Sequence, residues 1–435
     1  MSKPAWGGSV GKLCSSIADV ANFLYTEVII VDSMKVCVIN NLYPPLARGG
    51  AEQVVEKTVE ALLESGHEVV LVTLGASTQV LKYSSDSSLR THTYIPKNLF
   101  FYTDAHKHSF MSRMLWHVVD MFHIGSARFV QSVLEKEKPD VVHTHNLMGL
   151  GFLIPRAIRK LGIRHVHTVH DVQLVEPSGI ILKQREESFR YKGFPTKLYV
   201  AIMRWLMGSP DVVISPSKFL LNFYREWKFF SKSDFVQLRN PMTFGIRRQQ
   251  TAYYGLQPSD SAFRFFYVGQ VEEHKGVEFL VKTFVDFSKI NPDCELHIVG
   301  DGSRLKAVRE LAEGEERIVI HGRVGRDALP GLFDQADVVI APSLCYENSP
   351  TVIFESFAFG VPVLASNIEG IAELIEEGKN GMTFEAGDSK SLQKKLTWCV
   401  SNSEEVAKMG ERTGEFLEAF SVEGYVGELE GLYRV

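Results

Sequence analysis

Short apolar runs alternate along the chain with longer stretches in which apolar residues return every three or four positions. The first pattern is that of strands buried on both faces, the second that of amphipathic helices. In the first half strands are expected near 35–40, 68–74, 139–144, 163–168, 211–215 and 234–238, and helices near 51–64, 109–137, 150–161, 196–207 and 217–228. The second half repeats the rhythm, with strands near 263–268, 294–299, 317–321, 337–341, 362–365 and 381–384. Its helices fall near 276–290, 303–313, 327–334, 350–359, 370–377 and 389–402. Such alternation argues for an α/β fold of two doubly wound units, each a mainly parallel sheet covered by helices.

A polar stretch from Met242 to Ser261 separates the two series. The expected domains are therefore 34–241 and 262–402, joined by a linker at 242–261. A last helix, within 403–435, comes after the second unit and is free to pack back on the first. Residues 1–33 look unlike the rest of the chain, and Met34-Lys35-Val36-Cys37 makes a natural first strand. The leading segment is expected to be an extension that plays no part in the fold. Its apolar stretch from Ile17 to Val31 is interrupted by Asp19, Asn22 and Glu27, which makes a poor signal-peptide core.

With 435 residues the chain is too long for one ordinary core, and a net charge of −5 argues against a nucleic-acid partner. Five cysteines, odd in number and without C-x-x-C spacing, point away from a disulfide or zinc framework and towards a reducing, cytoplasmic setting.

The chemistry gathers where strands give way to helices. After the apolar run Asp337–Ser343 comes Tyr346-Glu347-Asn348-Ser349-Pro350-Thr351, and Glu355 lies on the next helix. Pro350 fits the first helical position, Ser349 the N-cap, and Gly360 and Pro362 the helix stop. A helix N-terminus favours an anion, so carboxylates beside it suit a nucleotide-linked sugar. Lys275, in His274-Lys275-Gly276, lies just past the strand that ends at Gly269-Gln270, where a lysine meets a phosphate as a point charge. Gly49-Gly50 opens the first long helix; a ligand's close approach and an ordinary turn explain the pair about equally. Gly300-Asp301-Gly302 is a lone G-x-G, which fits a turn beside a nucleotide better than an NAD fingerprint.

Histidines crowd two strands. His143, His165 and His167 read as satisfied core residues, whereas His145 and His170-Asp171 stand at C-terminal strand ends, where open α/β sheets bind ligands. No spacing supplies a metal site. Aromatic and basic side chains mix near Phe100–Tyr102, Met111–His123, Met203–Met207 and Trp227–Phe230. These are expected to be core faces of long helices; a peripheral membrane contact, on the cytoplasmic face, would fall to the first domain.

In order and spacing, Gly49-Gly50, His145, His170-Asp171, Asn240-Pro241, Gly269…Lys275-Gly276, Gly300-Asp301-Gly302, Glu347…Glu355, Gly360-Val361-Pro362 and Asn380-Gly381 resemble retaining glycosyltransferases of the GT-B fold, family four. The resemblance runs from Met34 to the C-terminus. It implies two Rossmann-like domains facing across a cleft, with acceptor on the first and nucleotide-diphosphate sugar on the second, and no metal or other cofactor. By residue it implies that Glu355 grips the ribose, and that Glu347 with Asn348, Ser349, Pro350 and Thr351 holds the donor sugar. Lys275 would stabilise the leaving diphosphate, Gly49, Gly50 and Gly302 would border the donor, and His170 would sit beside the reaction centre with His145 and Asp171 in the cleft. One position departs from the family: Gln270 stands where arginine usually shares the diphosphate, which leaves Lys275, helix N-termini and a substitute cation (Arg323 or Lys379) to carry it. The donor base (UDP, GDP or ADP) and the acceptor, a glycan of polysaccharide biosynthesis, a lipid-linked glycan or a small molecule, stay open. A nucleotide-sugar epimerase of the same fold and a non-catalytic sugar-nucleotide binder are the alternatives.

Overall fold

A computed structural model describes residues 33–46, 49–75, 88–244 and 262–434. The expected extension, apart from Ser33, and the linker beyond Phe244 lie outside the described residues, save Ala262 onward where the second domain starts. The first sheet comprises β1 (Lys35–Ile39), β2 (Glu68–Leu74), β3 (Leu89–Tyr94), β4 (Val141–Thr144), β5 (Arg164–Thr168), β6 (Val212–Ser215) and β7 (Asp234–Gln237), in the order β3-β2-β1-β4-β5-β6-β7. The second comprises β8 (Phe263–Val268), β9 (Cys294–Val299), β10 (Ile318–Gly322), β11 (Val338–Ala341), β12 (Val363–Ser366) and β13 (Gly381–Phe384), in the order β10-β9-β8-β11-β12-β13. Every pairing within them is parallel. These are two Rossmann-like domains. In each, the winding direction reverses beside the first strand, between β1 and β4 and between β8 and β11. Loops leaving the two strands there diverge and open a crevice at their C-terminal ends.

Nine helices frame the site and join the domains: α1 (Gly50–Glu64), α2 (Phe110–Met121), α3 (Ile124–Glu137), α4 (Phe194–Met207), α5 (Lys218–Glu226), α6 (Val277–Ser288), α7 (Thr351–Ala358), α8 (Ser403–Arg412) and α9 (Val422–Arg434). Several differ from expectation for local reasons. Strand β3 escaped the apolar pattern because Leu-Arg-Thr-His-Thr-Tyr lies at the sheet edge, with every residue only half-buried. The long helix expected over 109–137 breaks into α2 and α3, because the His123 ring accepts the Ser126 N–H at 3.1 Å and caps a new helix. Pro350 itself is the N-cap of α7 and Thr351 its first residue, so the assignment of Ser349 as cap was one residue early. The helix expected at 370–377 is a single turn, Glu369–Ala372.

The expected last helix is three pieces: α8, a 3-10 stretch (Thr413–Phe420) and α9. The crossing is anchored at both ends. Phe420 stacks on Phe354 of α7, whereas Tyr425, Val426, Leu429 and Tyr433 are buried with Val36, Val38, Val55 and Val59 of the first domain. Burying a side chain such as Leu429 is worth roughly 1.5–3 kcal/mol. Polar contacts fix the register: Tyr425 to Thr58 Oγ1 at 3.1 Å, Arg164 to the Leu432 carbonyl at 2.7 Å, and Tyr433 to His143 Nδ1 at 2.7 Å.

Candidate active site

The loops at the reversal point of the second sheet meet because of a glycine. Gly276 has φ +75°, and a Cβ there would fall 1.9 Å from the Pro342 carbonyl oxygen. The β8 loop therefore lies flush on the β11 loop, which brings Lys275 Nζ to 2.6 Å from Glu347 Oε1. Ser343 Oγ donates to the same oxygen at 2.9 Å. Burial works against the Lys275 charge, but Glu347, as neighbour and hydrogen-bond acceptor, outweighs it, and the lysine pKa stands above its ordinary value. The lysine is therefore charged at neutral pH.

Facing it from the first domain are His170 and Asp171, just past β5. A cavity of about 140 Å³ between the domains is lined by His170, Asp171, Phe219, Lys275, Glu347 and Asn348, among others. Burial lowers the His170 pKa to about 4, and it lifts that of Asp171 to about 6 although the Gln173 N–H opposes this. His170 Nε2 lies 3.0 Å from His145 Nδ1, and the two rings stack. His145 is thus behind His170 rather than in the cavity. Burial keeps His145, and also His143, His165 and His167, neutral. His143 bridges Tyr433 and Thr168, while Thr144 Oγ1 contacts both His165 and His167.

The loop before α7 is tied to the first domain. Asn348 Nδ2 donates to the His170 carbonyl at 3.1 Å, and Ser217 Oγ donates to Asn348 Oδ1. Nearby, Lys183 N donates to the Leu344 carbonyl and Tyr346 N to that of Ile181, at 2.9 and 2.8 Å. Glu373 accepts the Lys218 and Phe219 amides that open α5, at 2.9 and 2.6 Å. The Asn348 side chain is therefore a latch between domains. Ser349 is buried with its hydroxyl unpaired.

Glu355, in the second turn of α7, is 5% exposed. Thr243 Oγ1 donates to it, and Arg326 Nη2 stands 3.8 Å away. Burial raises its pKa; Thr243 and then Arg326 pull the other way. Gly49 and Gly50 abut this region from the first domain: a Cβ on Gly50 would stand 3.2 Å from Thr351 Cγ2, and one on Gly49 3.8 Å from Gln270 Nε2. Gly302 answers to packing, since a Cβ there would fall 2.4 Å from the Val271 carbonyl oxygen.

With this geometry, comparison with known proteins becomes decisive. The model of the family described as Glycosyltransferase Family 4 matches residues 48–241, and that described as Glycosyl transferases group 1 matches 256–416. The chain belongs to the group 1 glycosyltransferases of the GT-B fold. An uncharacterized glycosyltransferase of Methanocaldococcus jannaschii is 24% identical over 78% of this chain and 85% of its own. Sucrose-phosphate synthase from Thermosynechococcus elongatus shares the fold at TM-score 0.69, with 18% identity over 92% of this chain and 98% of that one. HepE from Anabaena, solved with UDP and glucose, does so at TM-score 0.66, with 18% identity over 92% and 100%. Neither the epimerase nor the non-catalytic alternative is favoured.

For a glycosyltransferase of this group, sequence reasoning missed Thr243, Arg326 and Ser217. Ser217 was legible as the N-cap of α5, which it is, but not as a donor to Asn348. The cations suggested in place of the family arginine do not line the cavity: Arg323 is exposed, and Lys379 is exposed and paired with Glu376 at 2.7 Å. Arg326, three residues beyond Arg323, is the cation beside Glu355.

Proposed function

We propose that this glycosyltransferase moves a sugar from a nucleotide-diphosphate donor to a glycan or lipid-linked acceptor in the cytoplasm, with retention at the anomeric carbon and without a metal. In this reading the donor's ribose hydroxyls bind Glu355, displacing Thr243 as its partner. The diphosphate lies against Lys275 and the free amides at the start of α7, a preorganised set of donors in a site shielded from water. Glu347 then exchanges part of its hold on Lys275 for hydroxyls of the donor sugar. The bond from anomeric carbon to phosphate oxygen breaks, the acceptor oxygen bonds to that carbon from the same face, and the acceptor proton passes to the departing phosphate oxygen. His170 and Asp171 border the acceptor side.

The observation that carries the reading is the Lys275–Glu347 ion pair in a cavity shared by both sheets. UDP sugars are the first donors to try, since HepE was solved with UDP. A thermal-shift panel of UDP, GDP and ADP sugars identifies the base, because bound ligand raises the melting temperature by mass action. Product from the stabilising donor is then read by proton NMR: an unchanged anomeric configuration is expected, and an inverted one overturns the mechanism. Conversion of donor alone would instead mark an epimerase.

A further inference from the structure

The aromatic-rich helices of the first domain were expected to turn those residues inward, and they do so only on one side. Trp116 and Met121 of α2 share a buried cluster with Tyr191 and with Val200 and Met203 of α4. The opposite sides are largely exposed, with the Arg156 guanidinium 4.1 Å over the Trp205 ring. On α2, Phe110, Met111, Met114, Leu115 and Val118 are 45–69% exposed. Phe189, Phe194, Leu198 and Trp205, on α4 and the turn before it, are 51–75% exposed.

The two helices back onto one buried cluster, which also takes in Val172, Leu174 and Val175 after β5. Tyr199 of α4 donates to the Gln173 carbonyl at 3.0 Å, and Glu176 of the same loop binds Arg190 at 3.1 Å.

Cations dominate the charge that these two helices carry. From Ser188 to Gly208 there are Arg190, Lys192, Lys197 and Arg204 and no acid, within a chain whose net charge is −5. On α2 the cation is Arg113, and the one acid, Asp120, is buried and receives the Gly149 N–H at 3.0 Å. Arg190 and Lys192 have carboxylate partners, Glu176 and Glu187. Arg113, Lys197 and Arg204 have none among the described residues. Large apolar side chains ringed by unpaired cations suit the boundary between lipid headgroups and acyl chains. Among the described residues no helix is long and apolar enough to cross a membrane, so the contact is with one leaflet.

We propose that the outward faces of α2 and α4 form one surface that docks the first domain on an anionic lipid bilayer. That the membrane presents the acceptor rests on the proposed transfer reaction; the docking itself does not.

The full chain is sedimented with vesicles of phosphatidylcholine alone and of equimolar phosphatidylcholine and phosphatidylglycerol, without donor or acceptor. Binding to the mixed vesicles and not to the neutral ones is expected. Arg113→Gln and Lys197→Gln should each weaken it by about fivefold, the effect of one cation near a charged surface. Met111→Asp with Leu115→Asp should abolish it at an unchanged melting temperature, because both positions are exposed. No binding to either vesicle, or undiminished binding of the double aspartate variant, overturns the proposal. So does a concentration-dependent dimer that the aspartates dissolve, which would assign the face to a second copy of the chain. Since no sugar transfer is measured, failure here leaves the proposed reaction untouched.

Discussion

The two sheets share one winding order, yet the mouths of their reversal points are chemically opposite. In the second domain the mouth is charged: Lys275 lies 2.6 Å from Glu347, which holds the lysine pKa above its ordinary value. In the first it is histidine-rich: burial lowers His170 to about 4 and keeps that ring neutral, while Asp171, raised to about 6, is still largely ionised at pH 7. The same topology thus supplies a lysine to bear phosphate charge on one side and neutral imidazoles beside a weakened acid on the other. The contrast comes from packing. Gly276 lets two loops close until an ammonium meets a carboxylate, whereas the rings of His143, His145, His165 and His167 are buried among strands and meet Tyr433, Thr168, Thr144 and His170. If donor and acceptor sides are divided in this way, removing charge from one mouth should act on catalysis and removing histidine from the other on stability.

The largest effect is expected at Lys275. Lys275→Ala deletes the side-chain cation at the phosphate position, and loss of one such preorganised donor costs about 10²–10³ in turnover. Initial rates with the stabilising donor test it, and a loss below tenfold would mean that charge at this mouth is not what drives the reaction. Next comes Glu355→Gln. The amide keeps the Thr243 contact and the buried volume, so the fold should survive. Hydrogen bonds to a charged acceptor are worth about 1.5–3 kcal/mol, so calorimetry should show nucleotide affinity falling by about 10- to 100-fold. Unchanged affinity would move the ribose elsewhere and leave Glu355 as a partner of Arg326 and Thr243 alone.

Much of this was legible in the chain, and what was not has a common cause. Strands buried on both faces advertise themselves: β8, β9 and β13 lie where the apolar runs put them. Strand β3 did not, because an edge strand needs few apolar residues. The α2–α3 break was hidden because it depends on a histidine ring acting as a cap, a rarer device than Ser or Asp. At the site, Lys275 and Glu347 could be named from loop position, but their 2.6 Å contact depends on how Gly276 seats against Pro342. The Asn348 latch and the Thr243–Glu355–Arg326 group join residues distant in sequence, and no local pattern records such meetings. Exposure of the outer side of α2 was misjudged for a related reason. An apolar stripe states what a helix is able to bury, and only the assembled domain shows which side finds a partner.

The smallest effect sharpens the comparison from the first-domain side. Burial pushes His143 and His167 down to about 3, His170 to about 4, and His145 and His165 well below their ordinary value. In each case the unfolded chain takes up a proton near pH 6.5 and the native chain refuses it. Stability from these groups is thus present above 6.5 and is lost as pH falls towards about 4. Asp120 and Asp171 act in the opposite sense: burial raises them to about 7 and about 6, so the native state binds their protons first and gains on acidification. These five histidines outnumber the buried acids Asp120, Asp171 and Glu355, and the net expectation is a melting temperature that drops between pH 7 and pH 5. His165→Asn removes one of the five without touching the cavity. It should lower stability at neutral pH, where Thr144 loses one of its two ring partners, and flatten the pH slope by up to about 1.4 kcal/mol per pH unit. Denaturant titrations of both chains at several pH values give that slope directly. An unaltered slope would mean that His165 is protonated in the folded protein, and the set of neutral imidazoles would have to be redrawn with a charge inside it.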